Sequence, residues 1–210
     1  MARQAVCISH ATGAGGAAVG RDVAERLGFR HVDDEVIQEA AQWADLDPAL
    51  VAGAERRKPL VERLLGGAAA AGGDYVAAGE WVGQEPAEAD LRALITRALR
   101  SFADRGSVVI VSHAASFALA GRGVLRVLVT ASPEARARRV SQERGIAERD
   151  GARQIKKEDG ARADYLRRFH AVDRELPTHY DLVVNTDLLT LPEAAGIIAA
   201  AATSSSAATG

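Results

Sequence analysis

The stretch with the most chemistry in it is Ser9-His10-Ala11-Thr12-Gly13-Ala14-Gly15-Gly16-Ala17-Ala18. Its closely spaced glycines let the backbone turn back on itself and aim several N–H groups into one small space. A helix starting there adds the partial positive charge of its N-terminus, and the combination suits an anion such as a phosphate chain. The full phosphate-loop pattern places a lysine after the last glycine of the turn, then Ser or Thr, to meet the outer phosphates and magnesium. Gly16 and Ala17 stand in those places, so neither an ammonium nor a hydroxyl comes from them. A tight turn whose glycines serve close packing alone is the competing reading. A dinucleotide turn is not matched, because Ala18 occupies the place of the third glycine of Gly-x-Gly-x-x-Gly.

The elements that must hold this turn follow from hydrophobic pattern. Ala5–Ser9, Val108–Ser112, Leu125–Thr130 and Asp181–Asn185 are short apolar runs without clean alternation, as expected of parallel strands covered on both faces. Phe29–Asp33 is a weaker fifth run. Between them, Ala18–Leu27 and Ala87–Arg105 read as helices that stop at Gly28 and Gly106. Pro133–Arg144 reads as a helix with Ser132 as N-cap, proline at the first position and Gly145 at the end. This alternation predicts an α/β fold with a doubly wound or phosphate-loop-like parallel sheet. Two segments interrupt it. Asp47–Pro86 reads as a small helical insertion, with helical pieces at Pro48–Arg56 and Pro59–Leu65 and a Gly/Ala connector from Gly66 to Gly73. Ala147–Ala171 is long, helical and rich in both charge signs. Residues 203–210 are a Ser/Ala/Thr tail expected to be disordered, leaving one domain over residues 1–202. Trp43 and Trp81 read as packing anchors.

Composition narrows the function classes. The 210 residues carry a net charge of −2 with 26% charged residues, which lacks the positive excess of a nucleic-acid binder. A phosphate held here is therefore expected on a small molecule. The single cysteine, Cys7, lies in the apolar run Ala5-Val6-Cys7-Ile8 and reads as a small buried hydrophobe. One cysteine permits no internal disulfide, which suits a reducing compartment. No run reaches the roughly 18 apolar residues of a membrane span, and the N-terminus lacks a secretory pattern. The expectation is a cytoplasmic protein without nucleic-acid or membrane partners.

Several further segments run in a recognisable order. Val32-Asp33-Asp34-Glu35-Val36-Ile37 follows the Gly13–Gly16 turn and its helix. Then come Val108-Val109-Ile110-Val111 with Ser112-His113-Ala114-Ala115-Ser116-Phe117, Val124-Leu125-Arg126-Val127, and Pro133–Val140. Ile155-Lys156-Lys157-Glu158-Asp159-Gly160-Ala161-Arg162 and Tyr180-Asp181-Leu182-Val183-Val184-Asn185-Thr186 complete the set. The ordered set, from about Ala5 to Ala200, resembles the cytidylate kinase-like family of P-loop nucleoside monophosphate kinases.

That resemblance implies a P-loop NTPase-like five-stranded parallel sheet flanked by helices, with a helical insertion (residues 46–87) over the acceptor nucleotide and an arginine-rich lid within residues 136–162, its core at 141–162. It implies transfer of the γ-phosphoryl group of ATP, with magnesium, to a nucleotide such as CMP. No side chain is identifiable as a metal ligand. By resemblance, Asp159 and Arg162 form an acceptor-contacting Asp-x-x-Arg pair and Asp33 lies near the acceptor. Arg136, Arg139 and Arg144 are lid arginines by position. Gly13, Ala14, Gly15, Gly16 and Ala17 cradle phosphate. Guanidinium groups suit this work, since they stay charged and grip phosphate through two bonds. The bland alternatives are a solvated face for Arg136, Arg138 and Arg139 beside Glu134 and Glu143, and a surface i,i+3 pair for Asp159 with Arg162. The chain departs from the family at Gly16 and Ala17, and again at Ser112-His113-Ala114, where relatives have Gly-Arg-Gly. His113 is the candidate to replace the missing cation. These departures motivate a second reading, a nucleotide-binding sensor or partner-binding module without turnover.

Overall fold

The computed structural model describes residues 4–33, 35–48, 51–52, 88–112 and 115–204. The expected insertion falls almost wholly outside them, as do His113, Ala114, Trp81 and residues 205–210. Within them the chain runs β1 (Ala5–His10), α1 (Gly16–Leu27), β2 (Arg30–Val32), α2 (Glu35–Ala44), α3 (Glu88–Arg105), β3 (Val108–Val111) and α4 (Ala115–Ala118). It continues through β4 (Leu125–Thr130), α5 (Pro133–Arg144), α6 (Glu148–His170), a 3-10 turn at Pro177–His179, β5 (Leu182–Asn185) and α7 (Leu191–Thr203).

The five strands form one parallel sheet in the order β2-β3-β1-β4-β5. β1 is central and apolar on both sides because each face is covered. Cys7 and Ala5 look toward α2, α3 and α4, while Val6 and Ile8 look toward α1 and α7. This two-sided burial is why the strand reads as an unbroken apolar run. Cys7 is fully buried; burial pushes its thiol up to about 12, so it behaves as a small hydrophobe.

The ends of the elements have local causes. Phe29 donates its N–H to the Ala24 carbonyl (2.9 Å), completing the α1 terminus, so β2 begins only at Arg30. Gly28 at φ 65° makes that helix end. Asp181 precedes β5 and fastens its start, its carboxylate accepting from the Arg126 N–H at 2.9 Å and from the Arg126 guanidinium. Ser132 caps α5 by accepting from the Ala135 N–H at 3.3 Å, and Gly145 at φ 64° ends it. α7, which begins with a Thr190/Glu193 capping box, extends through Thr203, the first residue of the expected tail.

α5 and α6 form a helical hairpin across Ala137, Val140 and Ile155. They approach closely at Gly151, where an added Cβ would lie 3.0 Å from the Ala137 carbonyl oxygen. In a parallel sheet all carboxyl ends share one edge. The loop after β1, Asp33 after β2 and Ser112 after β3 therefore lie on the same side. Chain order also reverses direction across β1, which makes this edge the crevice where such sheets bind ligands.

Candidate functional site

The loop from Ala11 to Gly15 leaves the end of β1 and enters α1. Its first N–H, of Ala11, still bonds the Val129 carbonyl of β4 at 3.0 Å. Gly13 and Gly15 have φ of 78° and 81°, a left-handed geometry that favours glycine. Neither has room for a side chain: a Cβ on Gly13 would lie 2.8 Å from the Arg136 carbonyl oxygen, and one on Gly15 would lie 2.5 Å from Leu191 Cδ2. Packing and backbone conformation thus demand the same glycines. α1 has no side-chain cap at Gly15, and the first N–H groups of a helix have no intrahelical acceptor. The loop is a set of donors at a positive helix end.

The loop carbonyls are held by side chains from the second half of the chain. Arg162 donates from Nη1 to the His10 carbonyl (3.2 Å), Arg136 to that of Thr12 (3.2 Å), and Arg139 to that of Gly13 (3.4 Å). Thr186 Oγ1 donates to the Ala14 carbonyl at 3.0 Å. The Ala14 N–H bonds the Ala11 carbonyl at 3.0 Å, so the capacity of the loop for an anion rests on the N–H groups at the start of α1.

Each arginine is fixed in turn. Arg136, only 8% exposed, makes a two-bond ion pair with Asp159 at 3.0 and 2.8 Å. Its Nε is buried without a hydrogen-bond partner. Arg139 donates to Thr186 Oγ1 at 2.9 Å and to the Thr186 carbonyl. Arg162 pairs with Glu175 at 2.6 Å, and Tyr180 also donates to Glu175. Burial alone would lower the Arg162 pKa and raise that of Glu175. Their mutual hydrogen bond and charge reverse both, holding the guanidinium above and the carboxyl below its usual value.

Asp159 and Arg162 are thus neighbours on α6 that do not pair with one another: each takes a partner from elsewhere in the chain. Arg144 is the outlier among the four arginines, exposed and ion-paired with Glu158 at 3.6 Å. Asp33 is exposed beyond β2, with His31 Nδ1 at 4.0 Å. It lies two strands from the loop along the shared edge. His113 falls outside the described residues. Glu175, Tyr180 and Thr186 are not singled out by the sequence, because their roles come from partners 5 to 172 positions away.

A cavity of about 270 Å³ adjoins the loop, bounded by Ala11, Asp159, Arg162, Leu166, Arg174 and Glu175. A larger cleft of about 560 Å³ opens elsewhere, against Trp43 of α2 and Arg92, Arg97 and Arg100 of α3. The loop's donors fit a nucleotide's phosphate chain. Ala17 supplies no hydroxyl, and no cluster of three or more metal-ligating side chains occurs among the described residues.

A profile of the cytidylate kinase-like family matches residues 5–188. The chain belongs to that family. The match takes in the loop, the sheet, both helices of the α5–α6 hairpin and the Thr186 anchor. Among curated proteins no significant match is found. Among solved structures, an uncharacterized protein from Eubacterium ventriosum is similar at TM-score 0.67 and 16% identity, over 96% of this chain and 99% of that one. A shikimate kinase from Bacteroides thetaiotaomicron is similar at TM-score 0.51 and 15% identity, over 92% and 95% of the two chains. At such identities these structures show the fold alone. This cytidylate kinase-like chain therefore has a kinase-like P-loop fold. No helix among the described residues is long and apolar enough to cross a membrane.

Proposed function

We propose that this chain binds ATP at the loop after β1 and transfers its γ-phosphoryl group to a small nucleotide acceptor, a pyrimidine monophosphate such as CMP. The supporting observation is the loop itself. Its carbonyls are engaged by Arg136, Arg139, Arg162 and Thr186, while its glycines and the α1 terminus present N–H donors to an anion. In the transfer an acceptor phosphate oxygen forms a bond to the γ-phosphorus as the bond to the β-phosphate oxygen breaks, releasing ADP. Such a reaction needs alignment and charge neutralisation more than covalent help. The loop would align the donor. Of the four candidate arginines, Arg144, exposed and paired with Glu158 at 3.6 Å, would add charge without first giving up a buried partner.

A second reading is favoured by Gly16 and Ala17, which supply neither ammonium nor hydroxyl. Losing a charged contact to a transition-state oxygen costs roughly 100- to 1000-fold in rate, and on this reading nucleotide binds without turnover. ADP production with ATP and magnesium, with and without CMP, dCMP, UMP and AMP, separates the two. Acceptor-dependent ADP is the expected result. Nucleotide binding with no ADP under any condition would replace the kinase reading with the second.

A further inference from the structure

In the pattern Gly-x-x-x-x-Gly-Lys-Ser/Thr the first glycine and the lysine stand six positions apart. Those two places hold His10 and Gly16, so a side chain is gained at one and lost at the other. The structure makes the two changes one event. A Cβ on Gly16 would lie 2.7 Å from His10 Cδ2 and closer still to His10 Cβ and Cγ. The imidazole therefore fills the space where the lysine stem would begin, and no side chain can be added at position 16 while His10 stays in place.

Building on the phosphate-site reading above, we infer that His10 is the cation of this loop, its imidazolium taking the place of the lysine ammonium against the nucleotide's phosphate chain. Nδ1 lies 3.3 Å from the Ala11 carbonyl oxygen, which can only accept, so Nδ1 carries a proton. Protonation of Nε2 then makes the whole ring a donor. The Arg162 guanidinium of α6 lies beside it, paired with Glu175 before β5; Arg136, with its partner Asp159, and Arg139 hold the next loop carbonyls, of Thr12 and Gly13. The first turn of α1 contributes no charged group, being Gly16, Ala17 and Ala18. Asp159 and Glu175 are paired with Arg136 and Arg162. Burial, aided by the Arg162 charge, holds the His10 pKa below 6.5 in the free protein. A polyphosphate at the loop raises it. Binding therefore takes up a proton, and affinity weakens as pH rises through the pKa of the bound state. A lysine loop would show no such dependence near neutrality.

The test is calorimetric binding of ADP and of inorganic pyrophosphate from pH 5.5 to 8.5, with wild type, His10→Gly, Gly16→Lys and the double variant. The ligands' own titration is common to all four proteins and cancels in the comparison. Expected for His10→Gly is a loss of about 10- to 100-fold in affinity at pH 6.5, with a flatter pH profile. Gly16→Lys alone lowers the melting temperature and gains no affinity. The double variant regains affinity and keeps the flat profile. Folded His10→Gly with wild-type affinity and pH profile would overturn the inference and leave the phosphate site standing. Wild type that binds neither ligand would remove the site and the inference together. Should His10→Gly not fold, proton uptake on ADP binding by wild type, measured in buffers of different ionisation enthalpy, decides; zero uptake overturns the inference.

Discussion

Thr186 ties the glycine loop to β4 and α5. It is fully buried, receives Arg139 on its hydroxyl and bonds the Ala14 carbonyl. Thr186→Val keeps the shape, strands the buried Ala14 carbonyl and removes one of the three acceptors of the Arg139 guanidinium. The expected loss is about 1–3 kcal/mol, or about 2–12 °C in melting temperature, read by thermal and urea unfolding; an unchanged midpoint would mean the loop is held without it. Glu175 gives a pH signature. Its carboxyl is held below the ordinary value by Arg162, against the opposing effect of burial. A depressed carboxylate adds stability that is full above its unfolded pKa of about 4.3 and is lost as pH falls through the folded value. Glu175→Gln should therefore lower stability at pH 7 and flatten its decline below about pH 4.5. A decline parallel to wild type would detach Glu175 from acid unfolding. Arg144 carries the kinase prediction. Arg144→Gln should cut turnover at least about tenfold with an unchanged melting temperature, and unaltered turnover would take it out of the lid.

Two glycines on α6 separate packing from propensity. A Cβ on Gly151 would lie only 3.0 Å from the Ala137 carbonyl oxygen, whereas one on Gly160 would have nothing within 4 Å. Gly160→Ala should stabilise by about 0.5–1 kcal/mol, since glycine in a helix interior costs that much. Gly151→Leu should destabilise by about 1–3 kcal/mol by forcing the hairpin apart. Denaturant midpoints moving in the same direction for both would contradict the close crossing. The crossing matters because α5 supplies Arg136 and Arg139 and α6 supplies Asp159 and Arg162. A shift of one helix against the other displaces the grip on the loop carbonyls.

At the scale of the whole molecule, a ligand that binds only the folded chain stabilises it by about 2.7 kcal/mol at 100 times its Kd. ADP or ATP should accordingly raise the melting temperature by about 5–10 °C in a concentration-dependent manner. Indifference to every nucleotide would set aside both readings of the site.

The sequence by itself determined the layers. All five strands were legible, because two-sided burial selects apolar runs whatever their neighbours, and their ends shifted only where local bonding intervened, as at Phe29 and Asp181. The glycine turn was legible for a similar local reason: its φ values and its lack of space select glycine at positions 13 and 15. Arg136, Arg139 and Arg162 could be picked out by type and family order, but their partners could not. Helix spacing offers a surface Asp159–Arg162 pair as the alternative to an acceptor-contacting one, yet each residue is drawn to a partner outside α6. Glu175, Tyr180 and Thr186 carry no local pattern to mark them. Whether Gly16 was a damaged lysine position or half of an exchange with His10 was likewise beyond one dimension. Periodicity and turn chemistry act through residues a few positions apart and so are written in order along the chain. Salt-bridge partners and steric exclusion act through space, and the folding of β1, α5, α6 and β5 onto one edge is what brings those groups together.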